Sequence, residues 1–114
     1  MTTKWQSNFA NTFPYSDTNM NALLAASTAL PYTVPGSPST IYRAKFKCSS
    51  TAEIWVNYNG TATIPTANTA TTVSKQEMVP LDECRYVKGG DVLSFISAGT
   101  PALSMALLQV YPNT

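Results

Sequence analysis

Few residues in this sequence could carry out acid–base or metal chemistry. There is no histidine, so the most common general base, the nucleophiles that depend on one and most zinc and iron sites are missing. Asp82 and Glu83 are adjacent carboxylates, which point to opposite faces of an extended chain and so cannot share a proton or flank one bond. The remaining carboxylates are scattered: Asp17, Glu53, Glu77 and Asp91. We therefore expect a protein that is not an enzyme.

Ligand-binding motifs are also missing from the sequence. No run of alternating aspartates resembles a calcium loop, and the five glycines form no phosphate-binding pattern. Lys88-Gly89-Gly90-Asp91 is predicted to be a tight turn, in which glycine takes a positive φ. Cys48 and Cys84 could form one disulfide, but both fall near the ends of predicted strands and are interpreted as free thiols. We expect no cofactor, no metal and no small-molecule substrate.

The composition favours a protein partner. Charged residues make up 11% of the 114 residues and the net charge is +1, so a surface rich in Thr, Ser, Asn and Ala is expected, as on proteins that pack against other proteins. Nucleic acid is not expected as a partner, because its backbone is bound by clustered cations. The seven Lys and Arg residues of this sequence are distributed along the chain. Neither a membrane span nor a signal peptide is predicted.

From Thr40 onward the pattern is that of alternating strands. Residues 41–48 place Arg43, Lys45 and Lys47 on one face of a strand and apolar side chains on the other. Residues 52–58 turn Trp55 outward and end at Asn59-Gly60, which predicts a tight type I′ hairpin. Further strands are predicted at 77–81, 84–87, 92–96 and 102–110, with one or two short edge strands within 61–74 and a hairpin joining the last two strands.

The strand from Ala102 to Val110 is apolar on both faces, so it is predicted to lie centrally or to meet a neighbouring subunit. Short strands separated by turns predict an all-β fold, an antiparallel β-sandwich of the jelly-roll kind. The chain is interpreted as a single domain with a body at residues 40–114. Tyr42, Phe46, Tyr58, Tyr86 and Phe95 are predicted to fill its core.

Residues 1–39 are predicted to form an extended N-terminal arm followed by a proline-rich connection. A short helix is predicted after Ser16-Asp17, through Asn19, Met20, Leu23 and Leu24. Aromatic side chains in a polar, aperiodic segment cannot bury themselves locally, so they either fold back on the sandwich or anchor in another subunit. The candidate partner-binding residues are Trp5, Phe9, Phe13, Tyr15 and Trp55.

The segment Val87 to Ile96, which contains Lys88-Gly89-Gly90-Asp91, precedes a second apolar strand through Leu107-Leu108-Gln109-Val110. In this respect the chain resembles the closing hairpin of small β-sandwich proteins of tailed-bacteriophage virions, which include capsid decoration (cement) proteins and head-fibre or tail accessory proteins. The resemblance covers roughly Thr40 to Tyr111. It implies a non-enzymatic protein in the virion that binds the major capsid protein or another virion protein, often as a trimer.

A second hypothesis comes from Trp55. An exposed indole beside Asn57 and Tyr58 could stack on a sugar, as in a carbohydrate- or receptor-binding module of a phage fibre or tail. The two hypotheses differ in where the aromatic side chains lie and in what surrounds them.

Overall fold

The computed structural model describes residues 15, 16, 18–49 and 53–110. These residues form eight strands and no helix: β1 (Thr18–Leu23), β2 (Leu30–Thr33), β3 (Ile41–Cys48), β4 (Ile54–Tyr58), β5 (Gln76–Met78), β6 (Arg85–Lys88), β7 (Val92–Ser97) and β8 (Ala102–Val110). Two antiparallel four-stranded sheets result, sheet A in the order β1-β8-β3-β6 and sheet B in the order β2-β7-β4-β5. The expected all-β sandwich is confirmed.

The connectivity is that of a jelly roll. Four antiparallel pairs are nested in the chain, β1 with β8, β2 with β7, β3 with β6 and β4 with β5. Two further pairs, β3 with β8 and β4 with β7, join them into the two sheets. The chain is thus rolled like one long hairpin whose tip is the loop 59–75.

The core lies between the sheets and follows from the alternation of side chains along each strand. Phe46 on β3 meets Phe95 on β7 edge to face, with ring centroids 6.1 Å apart, so one aromatic contact joins the centres of the two sheets. The core also contains three fully buried side chains of β8: Leu103, Met105 and Leu107. The central position expected for this strand is confirmed, since β8 lies between β1 and β3.

Several local expectations were wrong. The segment predicted as a helix after Ser16 contains strand β1, because Met20 and Ala22 pair with Met105 and Leu103 and bury their side chains in the sandwich. Tertiary pairing here overrides the capping signal. Since β1 and β2 both belong to the sheets, the body begins by Thr18 and a boundary at residue 40 does not divide arm from body.

The predicted hairpins are also corrected. Asn59 has a φ of 66°, but Gly60 has no positive φ and β4 is followed by the loop 59–75 rather than by a tight turn, with no strand inside that loop. Strands β7 and β8 lie in different sheets, so their short connection crosses the sandwich instead of forming a hairpin. Local spacing does not distinguish a hairpin from such a crossing. Cys48 and Cys84 are not joined by a disulfide, as expected.

Candidate protein-binding surface

One polar cluster joins the two sheets at the side where β5 and β6 are the edge strands. Arg85 on β6 donates from Nε and Nη2 to the two carboxylate oxygens of Glu77 on β5, at 2.9 and 2.8 Å. The Tyr58 hydroxyl donates to the same carboxylate at 2.6 Å, and Arg85 also pairs with Glu83. Glu77 therefore accepts three hydrogen bonds from fixed partners.

The electrostatics of this cluster are those of a structural ion pair. The hydrogen bonds from Arg85 hold the pKa of Glu77 below its ordinary value, against the opposing effect of burial. Burial and the neighbouring Glu77 carboxylate raise the pKa of Tyr58. A carboxylate that is ionised and occupied in this way is a poor general acid or base at neutral pH. Within the described residues, no group of three or more His, Cys, Asp or Glu side chains is placed to hold a metal ion.

The outer face of sheet B is partly covered by the chain itself. The loop 59–75 folds back on it: the Ala62 amide donates to Ser94 Oγ at 2.9 Å, and Gln76 exchanges hydrogen bonds with the backbone of Thr63 at 2.9 and 3.0 Å. Ala62, Ser94 and Asn57 are buried as a result. This face therefore offers little room for a partner around its centre.

The outer face of sheet A is more open among the described residues. The outward side chains of β1 and most of those of β3 are exposed, whereas those of β8 are half-buried, and the loop 79–84 approaches the face at Lys45. Leu23 is 81% exposed, Tyr86 72% and Ile41 44%. By register, Ile41 and Tyr86 lie at one end of this face, level with Val110 and Leu108, and Leu23 lies at the other end, level with Ala102. Exposed apolar side chains of this size are common on surfaces that bind a protein.

Cations surround these apolar side chains. Arg43, Lys45 and Lys47 project outward from β3, as expected, and Lys88 projects outward from β6 beside Ile41. The outward positions of the four strands hold no carboxylate. Lys45 Nζ donates to the carbonyl of Leu81 at 2.6 Å, which holds that side chain near the edge of the sheet. We call this surface, made of the outward side chains of β1, β8, β3 and β6, the A face.

An open pocket of about 420 Å³ lies at one end of the A face, where β1 and β3 end and β8 begins. Its lining includes Leu23, Lys47 and Ala102. The pocket brings an exposed aliphatic side chain and a lysine to the same opening. It is large enough to receive one apolar side chain of a partner beside a carboxylate.

The candidate residues from the sequence are not gathered in one place. Trp5, Phe9 and Phe13 lie outside the described residues. Tyr15 is 84% exposed. Trp55 is half-buried on the outer face of sheet B, opposite Ile96 and Met78 in the register. Trp55 and Tyr15 therefore belong to different parts of the surface.

The proposed sugar platform is not assembled around Trp55. Asn57 is buried beneath the loop 59–75, where its Nδ2 donates to the carbonyl of Ser74. Tyr58 turns to the inside of the sandwich and its hydroxyl is bound to Glu77. Neither side chain is available to accompany an exposed indole on the outer face.

Sequence reasoning missed most of the A face. Tyr86 was expected in the core, but its register opposite Arg43 turns it outward on the edge strand β6. Leu23 was assigned to a helix, and its exposure follows from its being an outward residue of β1. The sequence does show the alternation of β3, whose cations identify the outward side of that strand. It does not show which strands lie beside β3.

Comparisons with known proteins identify no relative. No protein-family model matches the chain, and no curated protein or solved structure matches it significantly. None of the described residues forms a helix with the length and hydropathy needed to span a bilayer.

Proposed function

We propose that this protein is a structural component of a tailed-bacteriophage virion, a cement protein that binds the assembled head through protein contacts and catalyses no reaction. The observation that carries the proposal is the exposure of Ile41 and Tyr86 at one end of the A face and of Leu23 at the other end. Burying such side chains against a partner gains about 25 cal/mol for each Å² removed from water. Exposed in this way, they favour a role in assembly.

Two other features support this role. The segment Val87 to Ile96 resembles virion sandwich proteins, and the jelly roll is a fold that occurs in viral capsid domains as well as in lectins. A fold is shared by many functions, so this second point is an analogy. The low proportion of charged residues, 11%, also suits a protein held in an assembly.

The size of the A face favours binding in several copies. Nine residues of β8 span about 30 Å and four strands about 14 Å between the outer axes. The flat outline of these strands is about 420 Å², and a stable interface buries roughly 800 Å² of accessible surface on each partner. A trimer would engage three such faces at once and gain affinity through effective concentration.

We propose a homotrimer, and native mass spectrometry of the full chain tests it. A strict monomer at every concentration would contradict this part of the proposal.

Co-sedimentation with phage heads tests the function. Heads are prepared from a phage whose copy of this gene has been deleted, and the purified full chain is added back. Saturable binding and a higher temperature of head disruption are expected. Absence of binding would contradict the proposal. Binding of glycans on an array, lost in Trp55→Ala, would support the carbohydrate-binding alternative instead.

A further inference from the structure

We infer that the A face binds an acidic surface of another protein chain, which places an apolar side chain in the pocket beside Leu23 and a carboxylate against Lys47. The inference deepens the proposed function and rests on it for the identity of the partner. The chemistry of the surface itself is independent of that identity.

Charge complementarity is the first step. Lys45 and Lys47 on β3 and Lys88 on β6 point outward, and no outward position of the four strands carries a carboxylate. Among the carboxylates of the described residues, Asp82 and Glu83 follow Leu81 at the β6 edge, and Asp91 accepts the backbone N–H of Lys88 at the end of β6. The outward charged side chains of the four strands are thus all cations, and Lys47 at the pocket is the one farthest from these carboxylates along β3. Such a face attracts an acidic partner and repels a basic one.

The apolar side chains decide the class of partner. Leu23 and Ile41 gain nothing from a phosphate backbone, and nucleic-acid sites commonly use six to ten cationic contacts, about twice what this face offers. A protein surface can satisfy both components at once, since an apolar side chain fills the pocket while acidic neighbours meet the lysines. The A face therefore fits a protein better than a nucleic acid.

A second copy in a symmetric pair does not fit. A two-fold interface through the A face would bring the same patch of each copy together. The cations of each chain would then face a surface whose outward charged side chains are also cations, which costs free energy. The partner surface must differ from this one.

The variants Lys47→Glu and Leu23→Ser test the inference in the full chain with the gene-deleted heads. Both side chains are exposed and line the pocket. Each change is expected to weaken binding to the heads by about tenfold or more, because one reverses the charge and the other removes the apolar contact. Higher NaCl should weaken wild-type binding more than binding of Lys47→Glu.

Matched controls lie on the other side of the molecule. Lys75→Glu changes the charge equally but is in the loop 59–75, and Met78→Ser removes an apolar side chain that is 50% exposed on sheet B. Both controls should bind as the wild type does. Thermal unfolding of all four variants verifies that they are folded. Equal binding by Lys47→Glu, Leu23→Ser and the wild type would overturn the inference while leaving the proposed function intact.

A probe independent of heads separates the two proposals. The full chain labelled with ¹⁵N is titrated with a blocked acidic peptide, Asp-Leu-Asp-Val-Asp-Leu-Asp, and with the same peptide carrying Asn for Asp. Shifts confined to β1, β3 and β8 with the acidic peptide alone support the inference even if heads are not bound. Shifts on sheet B, or tighter binding at the A face of a single-stranded oligonucleotide or of phosphatidylglycerol vesicles, overturn it.

Discussion

Arg85 and Glu77 form a two-point ion pair across the open side of the sandwich, joining the edge strand of sheet A to the edge strand of sheet B. The loop 79–84 links these two strands along the chain, and the ion pair holds their side chains together beside it. The Tyr58 hydroxyl donates to the same carboxylate from the strand next to β5. One glutamate thus accepts hydrogen bonds from side chains of both sheets.

The variant Glu77→Gln is expected to lower the free energy of unfolding at pH 7 by about 1–2 kcal/mol. Hydrogen bonds to charged groups contribute about 1.5–3 kcal/mol to stability. This pair is partly exposed to solvent, which reduces its contribution. Because Arg85 lowers the pKa of Glu77 from an ordinary value of 4.5, the stabilisation is complete above that pH and is lost as the pH falls through the lowered pKa. Urea unfolding between pH 2 and pH 7 measures the difference.

The control for this prediction is Glu53→Gln, which changes an exposed carboxylate just before β4. Its unfolding should match the wild type within about 0.5 kcal/mol at every pH. If Glu77→Gln loses the same stability at pH 2 as at pH 7, the ion pair is not the source of the effect.

Tyr58 should remain neutral where an ordinary tyrosine ionises. Burial and the Glu77 carboxylate raise its pKa, so the stability that comes from the neutral phenol is full below about pH 10 and falls as the pH rises through the raised pKa. In ¹³C-tyrosine NMR, its Cζ signal, assigned with Tyr58→Phe, should not move up to about pH 11 while the chain is folded. A midpoint near pH 10 would contradict the described contact.

The two glycines of Lys88-Gly89-Gly90-Asp91 are needed for different reasons. A Cβ on Gly89 would lie 2.2 Å from the carbonyl oxygen of Ser37, a backbone atom that cannot move aside cheaply, whereas Gly90 has open space but a φ of +91°. We expect Gly89→Ala to cost about 3 kcal/mol and Gly90→Ala about 1–2 kcal/mol of unfolding free energy. Thermal unfolding of both variants checks the order, and the reverse order would show that the strained φ is the larger constraint.

Ser94 is expected to hold the loop 59–75 against sheet B. Replacing it with Ala leaves the buried amide of Ala62 without its partner, which should cost about 1–2 kcal/mol. Amide hydrogen exchange at residues 61–64 should become faster in Ser94→Ala and remain as in the wild type in Ser104→Ala, which changes a serine on the A face. Unchanged exchange in the first variant would show that other contacts fix the loop.

The alternation of residues was sufficient to predict β3 and β8 with their observed bounds and to turn Arg43 and Lys47 outward. It succeeded because both strands are central and their inner sides are strongly apolar. It failed at β1, where Asn19 and Asn21 alternate with Met20 and Ala22 so weakly that a capping signal before them was preferred. Edge strands have one neighbour, and their sequences carry less of the pattern.

The candidate surface could not be predicted for a related reason. Leu23 and Lys47 are far apart in the chain and meet only because β8 separates β1 from β3 by a single strand. The Arg85–Glu77 pair depends in the same way on how the two sheets are stacked. The local sequence indicates which residues belong to one strand. The order of strands in a sheet is determined by the whole fold.

The nesting of the strand pairs also decides where additional sequence can be accommodated. All four pairs enclose the loop 59–75, whose residues 66–75 are exposed. Doubling the length of a connecting loop costs only about 0.6 kcal/mol in closure entropy. An insertion in the loop 59–75 lengthens the connection within every nested pair, and the proportional increase is greatest for the innermost pair, β4 with β5. A foreign epitope grafted near Asn68 would accordingly be displayed at the tip of the roll, away from the A face.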